Sequence, residues 1–195
     1  MNLPNQLTLS RFAATGLFLA ALLIPFPFHE TAALLLFAVA SITDYFDGAI
    51  ARRRGLITNF GILMDPLADK ILVCSAFIAF VELGRIASWM VIVIVARELT
   101  ITGLRLLAAS KSLVLAAERF GKHKTISQIV CILAILVSMA YPTWGSWGHV
   151  VFEFSIGGPW IDWFTAGSVW AAVGLTFWSG TVYLWKNRSI YLQDM

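Results

Sequence analysis

The sequence predicts an all-α fold: a polytopic membrane protein of six transmembrane helices preceded by a short N-terminal interfacial helix. Three observations predict it. The 195 residues are 59% hydrophobic and only 13% charged, with a positive mean hydropathy, a balance found in membrane bundles rather than water-soluble domains. The apolar residues fall into runs of about 20, the length needed to cross a hydrocarbon core. The Lys and Arg residues outside those runs gather at one set of run ends.

Residues 1–10 are short and amphipathic, the pattern of a helix lying at a membrane surface. Span 1 covers about 12–28 and closes on Pro25-Phe26-Pro27-Phe28. It lacks a small-residue cleavage site and is expected to be a retained span. Span 2 covers about 31–51 and is followed by a polar loop that includes Arg52, Arg53, Arg54 and Gly55. Spans 3, 4 and 5 cover about 61–82, 86–109 and 124–141. A Gly- and Trp-rich connection over 142–159 leads to span 6, about 160–185. No stretch is long or polar enough to form a separate soluble unit, so residues 1–195 are expected to be a single membrane domain.

Arg11, Arg52, Arg53, Arg54, Lys111, Arg119, Lys122, Lys124, Lys186 and Arg188 lie at one set of ends, against Arg85 alone at the other. This asymmetry places both termini in the cytoplasm. Trp144, Trp147, Trp160 and Trp163 then fall at the outer interface and Tyr183 and Trp185 at the inner one, as anchors of an aromatic belt. Cys74 and Cys131 lack metal-ligand spacing and read as small buried hydrophobes. The outer connection 142–159 carries no functional inference.

The chemistry concentrates between Asp44 and Asp69. Asp44 and Asp47 are three apart near the end of span 2, and Asp65 and Asp69 are four apart near the start of span 3. On a helix each spacing puts both carboxylates on one face. Span 2 runs inward and span 3 runs back, so the four acids sit at one depth in the cytoplasmic half. Asp44 and Asp47 are too deep for helix caps, and clustered carboxylates are costly in a membrane. Divalent cations relieve that cost. An all-oxygen donor set favours Mg²⁺ or Mn²⁺ over zinc, and four carboxylates suit two ions able to bridge a diphosphate. Gly48, Ala51 and Gly61 leave room for a ligand near the backbone, although tight helix packing or a plain turn explains each equally well.

The full pattern is D-x2-D-G-x2-A-R-x8-G-x3-D-x3-D, at Asp44, Asp47, Gly48, Ala51, Arg52, Gly61, Asp65 and Asp69. It resembles the signature of the CDP-alcohol phosphotransferase family at every fixed position, and the six-span layout resembles that family too. The resemblance implies a six-helix membrane bundle that forms a homodimer in the bacterial cytoplasmic membrane, with a polar cavity open to the cytoplasm. It implies transfer of a phosphoryl-linked group from a CDP-linked donor to an alcohol, with release of CMP. By the same resemblance Asp44, Asp47 and Asp65 hold metal, Asp69 is both catalytic base and metal ligand, and Gly48, Ala51, Arg52 and Gly61 contact the CDP part.

The acceptor is indicated by segments outside the signature. Arg97 and Arg105 are eight apart in span 4, on one helix face, and Gly121-Lys122-His123-Lys124-Thr125 enters span 5. Two arginines, two lysines and a helix N-terminus form a plausible phosphate site. Positive-inside anchoring is the rival explanation for Lys122 and Lys124, and an ion pair with an acid is the rival for Arg97. Glu98 and Lys70 read as structural partners. These stretches, with the opening Asn2 to Arg11, resemble the bacterial family members that use sn-glycerol 3-phosphate with CDP-diacylglycerol. His123 departs from the apolar residue expected there and is given no role. Membrane lipid is an expected partner and nucleic acid is not. Two rivals remain: a sister enzyme using serine or inositol phosphate, and a divalent-cation transporter. The latter accounts for the aspartates but not for Arg52, the small residues or a cation-repelling basic cluster.

Overall fold

A computed structural model describes residues 3–54, 59–110, 119–153 and 159–188, and the side chains of 9–43, 70–109, 123–153 and 159–188. No strand occurs among the described residues. The helices are α1 (Leu3–Leu23), α2 (His29–Arg54), α3 (Asn59–Glu82), α4 (Ser88–Ser110), α5 (Arg119–Ala140), α6 (Ser146–Phe152) and α7 (Trp160–Lys186), with a 3₁₀ turn at Tyr141–Trp144. The long helices match the expected spans within a few residues at most ends.

Helix ends follow local chemistry. α1 stops at Leu23, two residues before Pro25, because a proline excludes the helical conformation from the residue before it. α3 closes in a Schellman motif. Gly84 takes φ +66°, its N–H donates to Val81 O at 3.0 Å, and Arg85 N–H donates to Phe80 O at 2.8 Å. At the end of α7, Asn187 donates to the Tyr183 carbonyl twice, from its backbone N–H (3.2 Å) and its side-chain Nδ2 (2.8 Å).

α1 packs against α2 and α3. α5 packs against α7, α2 and α3, and α4 is held between α3 and α7. The core is aromatic and aliphatic, built on Phe18, Leu22, Phe37, Phe77, Phe80, Ile94, Ile132 and Leu136. The Phe18 and Phe37 rings lie 5.5 Å apart and tilted by 55°, joining α1 to α2. Buried Gln128 donates to Thr176 Oγ1 at 3.0 Å, pinning α5 to α7 through a polar contact inside an apolar interface. Cys74 and Cys131 are free thiols, the second fully enclosed.

Three expectations change. The N-terminal segment is not a separate interfacial helix: Leu3–Leu23 is one continuous helix. Pro4 lies in its first turn, where a missing N–H costs nothing, and no breaker follows until Pro25. The outer connection is partly helical, with Trp144 Nε1 donating to Thr31 Oγ1 at 2.8 Å and Trp160 Nε1 to Val151 O at 2.8 Å. Tyr183 does not face a membrane interface. It is 2% exposed and packs on Ile101 and Leu104 of α4, whereas Trp185, two residues on, is 71% exposed.

By length and composition, one stretch among the described residues, His123–Trp144, is long and apolar enough to cross a membrane, and Leu9–Leu23 and His29–Thr43 are shorter apolar stretches.

Candidate active site

The signature aspartates are carried on regular helix. Asp44 and Asp47 lie in α2 and Asp65 and Asp69 in α3, so the i, i+3 and i, i+4 spacings put each pair on one helix face. Their distances from the facing helix ends match. Asp44 precedes Arg54, the end of α2, by about 15 Å of helical rise, and Asp69 follows Asn59, the start of α3, by about 15 Å. The corresponding rises for Asp47 and Asp65 are about 10 and 9 Å. Residues 55–58, between these ends in sequence, lie outside the described residues. The side chains of Asp44, Asp47, Asp65 and Asp69, and of Gly48, Ala51, Arg52, Gly61 and Lys122, lie outside the described residues. Among the described residues no group of three or more His, Cys, Asp or Glu side chains could hold a metal ion.

The basic residues beyond the signature form two linked groups. Glu98, 2% exposed, is the centre of the first. Its carboxylate accepts from Lys124 of α5, lies 2.9 Å from Lys70 Nζ of α3 and 3.4 Å from Arg97 Nη1 of its own helix. Among the described residues, three cations surround one buried anion where α3, α4 and α5 meet. A buried carboxylate is tolerable only when paired in this way. Lys70 and Glu98 are therefore structural partners, as their sequence positions imply. Lys124 is enclosed against Glu98 instead of standing open, and His123, beside it, is exposed.

The second group faces α7. Arg105 Nε donates to Tyr183 Oη at 3.3 Å, and its guanidinium carbon lies 5.5 Å from the centre of the Tyr183 ring. Arg97 lies with its stem against Gly180, where an added Cβ would stand 2.7 Å from Arg97 Cγ. Sequence spacing alone identifies neither Tyr183 nor Gly180. The only local signal is their separation of three, which puts both on one face of α7.

A cavity of about 260 Å³ opens between α1, α2, α3 and α5. Leu17, Leu36, Val39, Leu72, Val73 and Ile129 line its apolar length, and Ser10, Arg11, Ser41, Thr43 and Thr125 its polar part, beside the stretch that begins at Asp44. An apolar channel with a polar end suits an amphiphile.

Aspartate pairs on two consecutive helices, cations gathered on a buried acid and a groove with an apolar length and a polar end are features suited to a charged, lipid-linked substrate. Comparison with known proteins makes this specific. A family model for CDP-alcohol phosphatidyltransferase matches residues 1–178, and the chain belongs to that family. It is 39% identical to the CDP-diacylglycerol--glycerol-3-phosphate 3-phosphatidyltransferase of Bacillus subtilis, with 95% of each chain covered. It is 36% identical to the protein of that name from Rickettsia bellii, over 85% of this chain and 87% of the relative. It is 40% identical to a probable phosphatidylglycerophosphate synthase of Mycobacterium tuberculosis, over 72% of this chain and 68% of the relative.

Proposed function

We propose that this chain transfers the phosphatidyl group of CDP-diacylglycerol to sn-glycerol 3-phosphate, forming phosphatidylglycerophosphate and CMP. One observation carries this function: relatives whose names state that reaction align with the chain over most of its length, the Bacillus subtilis protein over 95% of it. The reaction joins a lipid donor to a phosphorylated acceptor. The chain supplies a counterpart for each, an amphiphilic groove and a set of buried or half-buried cations.

The enzyme is an integral protein of the bacterial cytoplasmic membrane, with six spans (α1 to α5 and α7), both termini cytoplasmic, and a homodimeric assembly. Large apolar side chains on the helix surfaces support membrane embedding. Leu17, Leu35, Val39, Ile92, Phe177 and Trp178 are each more than half exposed, a surface that lipid accommodates and water does not.

Asp44, Asp47, Asp65 and Asp69 hold the divalent ions, two Mg²⁺ or Mn²⁺. Their oxygen-only donor set and matched positions on α2 and α3 fit such ions. When bound, these ions offset the charge of the diphosphate and of the departing CMP. Arg52 pairs with the CDP phosphates, and Gly48, Ala51 and Gly61 let the head group approach the α2 and α3 backbones. Arg97, Arg105, Lys122 and Lys124 hold the phosphate of the acceptor, with Glu98 fixing Arg97 and Lys124. Asp69 accepts the proton of the acceptor's C1 hydroxyl. The resulting oxygen attacks the lipid-side phosphorus, and the bond from that phosphorus to the CMP oxygen breaks. Asp69 contributes through position, within hydrogen-bond reach of the hydroxyl.

The test is an acceptor panel. Purified protein with CDP-diacylglycerol and Mg²⁺ should release CMP with sn-glycerol 3-phosphate and not with serine or inositol phosphate. CMP release with serine alone would overturn the acceptor. Metal flux into vesicles with no CMP release from any acceptor would favour a cation transporter.

A further inference from the structure

We infer that the last turns of α7 position the acceptor-binding arginines of α4: Tyr183 aims Arg105, and Gly180 gives Arg97 its path. Tyr183 and Gly180 are thus positioning residues for the acceptor. The inference rests on the proposed acceptor-phosphate role of Arg97 and Arg105. Both α7 residues lie beyond residue 178, where the family match ends.

An arginine holds a phosphate well only when its planar fork is presented edge-on, and a free arginine samples many rotamers. Arg105 is restrained at two points. Its Nε donates to Tyr183 Oη at 3.3 Å, and its guanidinium carbon stands 5.5 Å from the ring centre, within cation–π range. With Nε engaged, the terminal pair of Nη groups forms the edge suited to an oxyanion.

Tyr183 can serve as a fixed post because it is itself fixed. It is buried against Ile101 and Leu104, and Asn187 secures its carbonyl from two donors. An interfacial anchor needs none of this, and its ring would be exposed as that of Trp185 is.

Gly180 lies on the same α7 face, one turn earlier. A Cβ there would meet Arg97 Cγ at 2.7 Å and Arg97 Cβ at 3.7 Å. The arginine stem therefore lies against bare α7 backbone. The same placement brings Arg97 Nη1 to Glu98 Oε1 at 3.4 Å, so any side chain at position 180 must shift a guanidinium anchored on the buried acid. Two independent contacts, from residues three apart, thus set the two arginines of one α4 face.

The test is steady-state kinetics on the full chain in detergent with CDP-diacylglycerol and Mg²⁺, varying each substrate in turn. Tyr183→Phe keeps the ring and loses the acceptor oxygen, and should raise KM for sn-glycerol 3-phosphate roughly three- to tenfold. Tyr183→Leu loses both contacts and should raise it further. Gly180→Ala should raise it by a comparable factor. KM for CDP-diacylglycerol should stay at the wild-type value in all three, a split that general loosening of the fold would not give. Adding Tyr183→Phe to Arg105→Ala should change nothing more, since the oxygen acts through that guanidinium. If Arg105→Ala raises KM for sn-glycerol 3-phosphate while Tyr183→Phe and Tyr183→Leu do not, the α7 role is overturned and the acceptor site stands. If Arg105→Ala itself leaves that KM unchanged, the acceptor-site assignment fails and the α7 role falls with it.

Discussion

Lys70 Nζ lies 2.9 Å from Glu98 Oε2. This ion pair ties the residue immediately after Asp69 in α3 to the centre of α4, where Arg97 and Lys124 share the same carboxylate. The aspartate-bearing end of α3 and the basic end of α5 are thereby referenced to one buried anion. Glu98 needs no contact with substrate to matter: it fixes Lys70, Arg97 and Lys124 relative to one another, and the last two are groups proposed above to hold the acceptor.

Replacing Glu98 by Gln should leave these cations facing a neutral amide. Removing one partner of a buried ion pair costs about 3 kcal/mol or more, so Tm should fall by roughly 6–12 °C. Thermal unfolding in detergent, followed by circular dichroism, measures this. A Tm equal to wild type would mean that the cluster contributes little to holding α3, α4 and α5 together.

Asp69→Asn preserves volume and helix propensity but removes the proposed proton acceptor and one carboxylate charge of the proposed metal site. CMP release should drop by about 10²- to 10⁴-fold, the range of a lost general base, with the melting profile retained. Wild-type CMP release in this variant would remove Asp69 from the chemistry.

Much of this was legible in the sequence because the relevant information is local. Apolar runs of span length fix the long helices, Pro25 marks the end of the first, and the i, i+3 and i, i+4 spacings of the aspartates define helix faces. Long-range contacts carry no such period. Tyr183 and Arg105 are 78 residues apart, and an aromatic near the charged end of an apolar run satisfies the belt pattern whether it faces lipid or packs inward. Lys124 shows the same limit. Its position fits a phosphate site or an anchor, and only the fold reveals Glu98, 26 residues earlier, as its partner. The separate N-terminal helix fails for another reason: amphipathic character in residues 1–10 does not supply a breaker between them and span 1.

Metal removal gives a third outcome. If the four aspartates hold two ions, chelation with EDTA should abolish CMP release and added Mg²⁺ or Mn²⁺ should restore it. The activity should rise more steeply than first order in metal concentration, because both ions are needed for one turnover. Full activity in excess chelator would contradict the metal role of the quartet.

The groove between α1, α2, α3 and α5 tests the lipid side separately. Ala14 and Ala40 line it, and their small side chains help keep its roughly 260 Å³ open. Ala14→Trp should fill much of that space. An acyl chain expelled from the groove finds an equally apolar bilayer, so little hydrophobic energy is lost. The penalty should come from geometry: a donor shifted along the groove misplaces its diphosphate relative to Asp69, and misplacement of about 1 Å can lower a rate by as much as 10²-fold. The expected result is therefore a fall in kcat of roughly tenfold with at most a few-fold rise in KM for CDP-diacylglycerol. KM for sn-glycerol 3-phosphate should not change, because Arg97, Arg105 and Lys124, assigned to the acceptor, face α7 and Glu98. Unaltered kcat in a folded Ala14→Trp protein would exclude this groove as the donor's path.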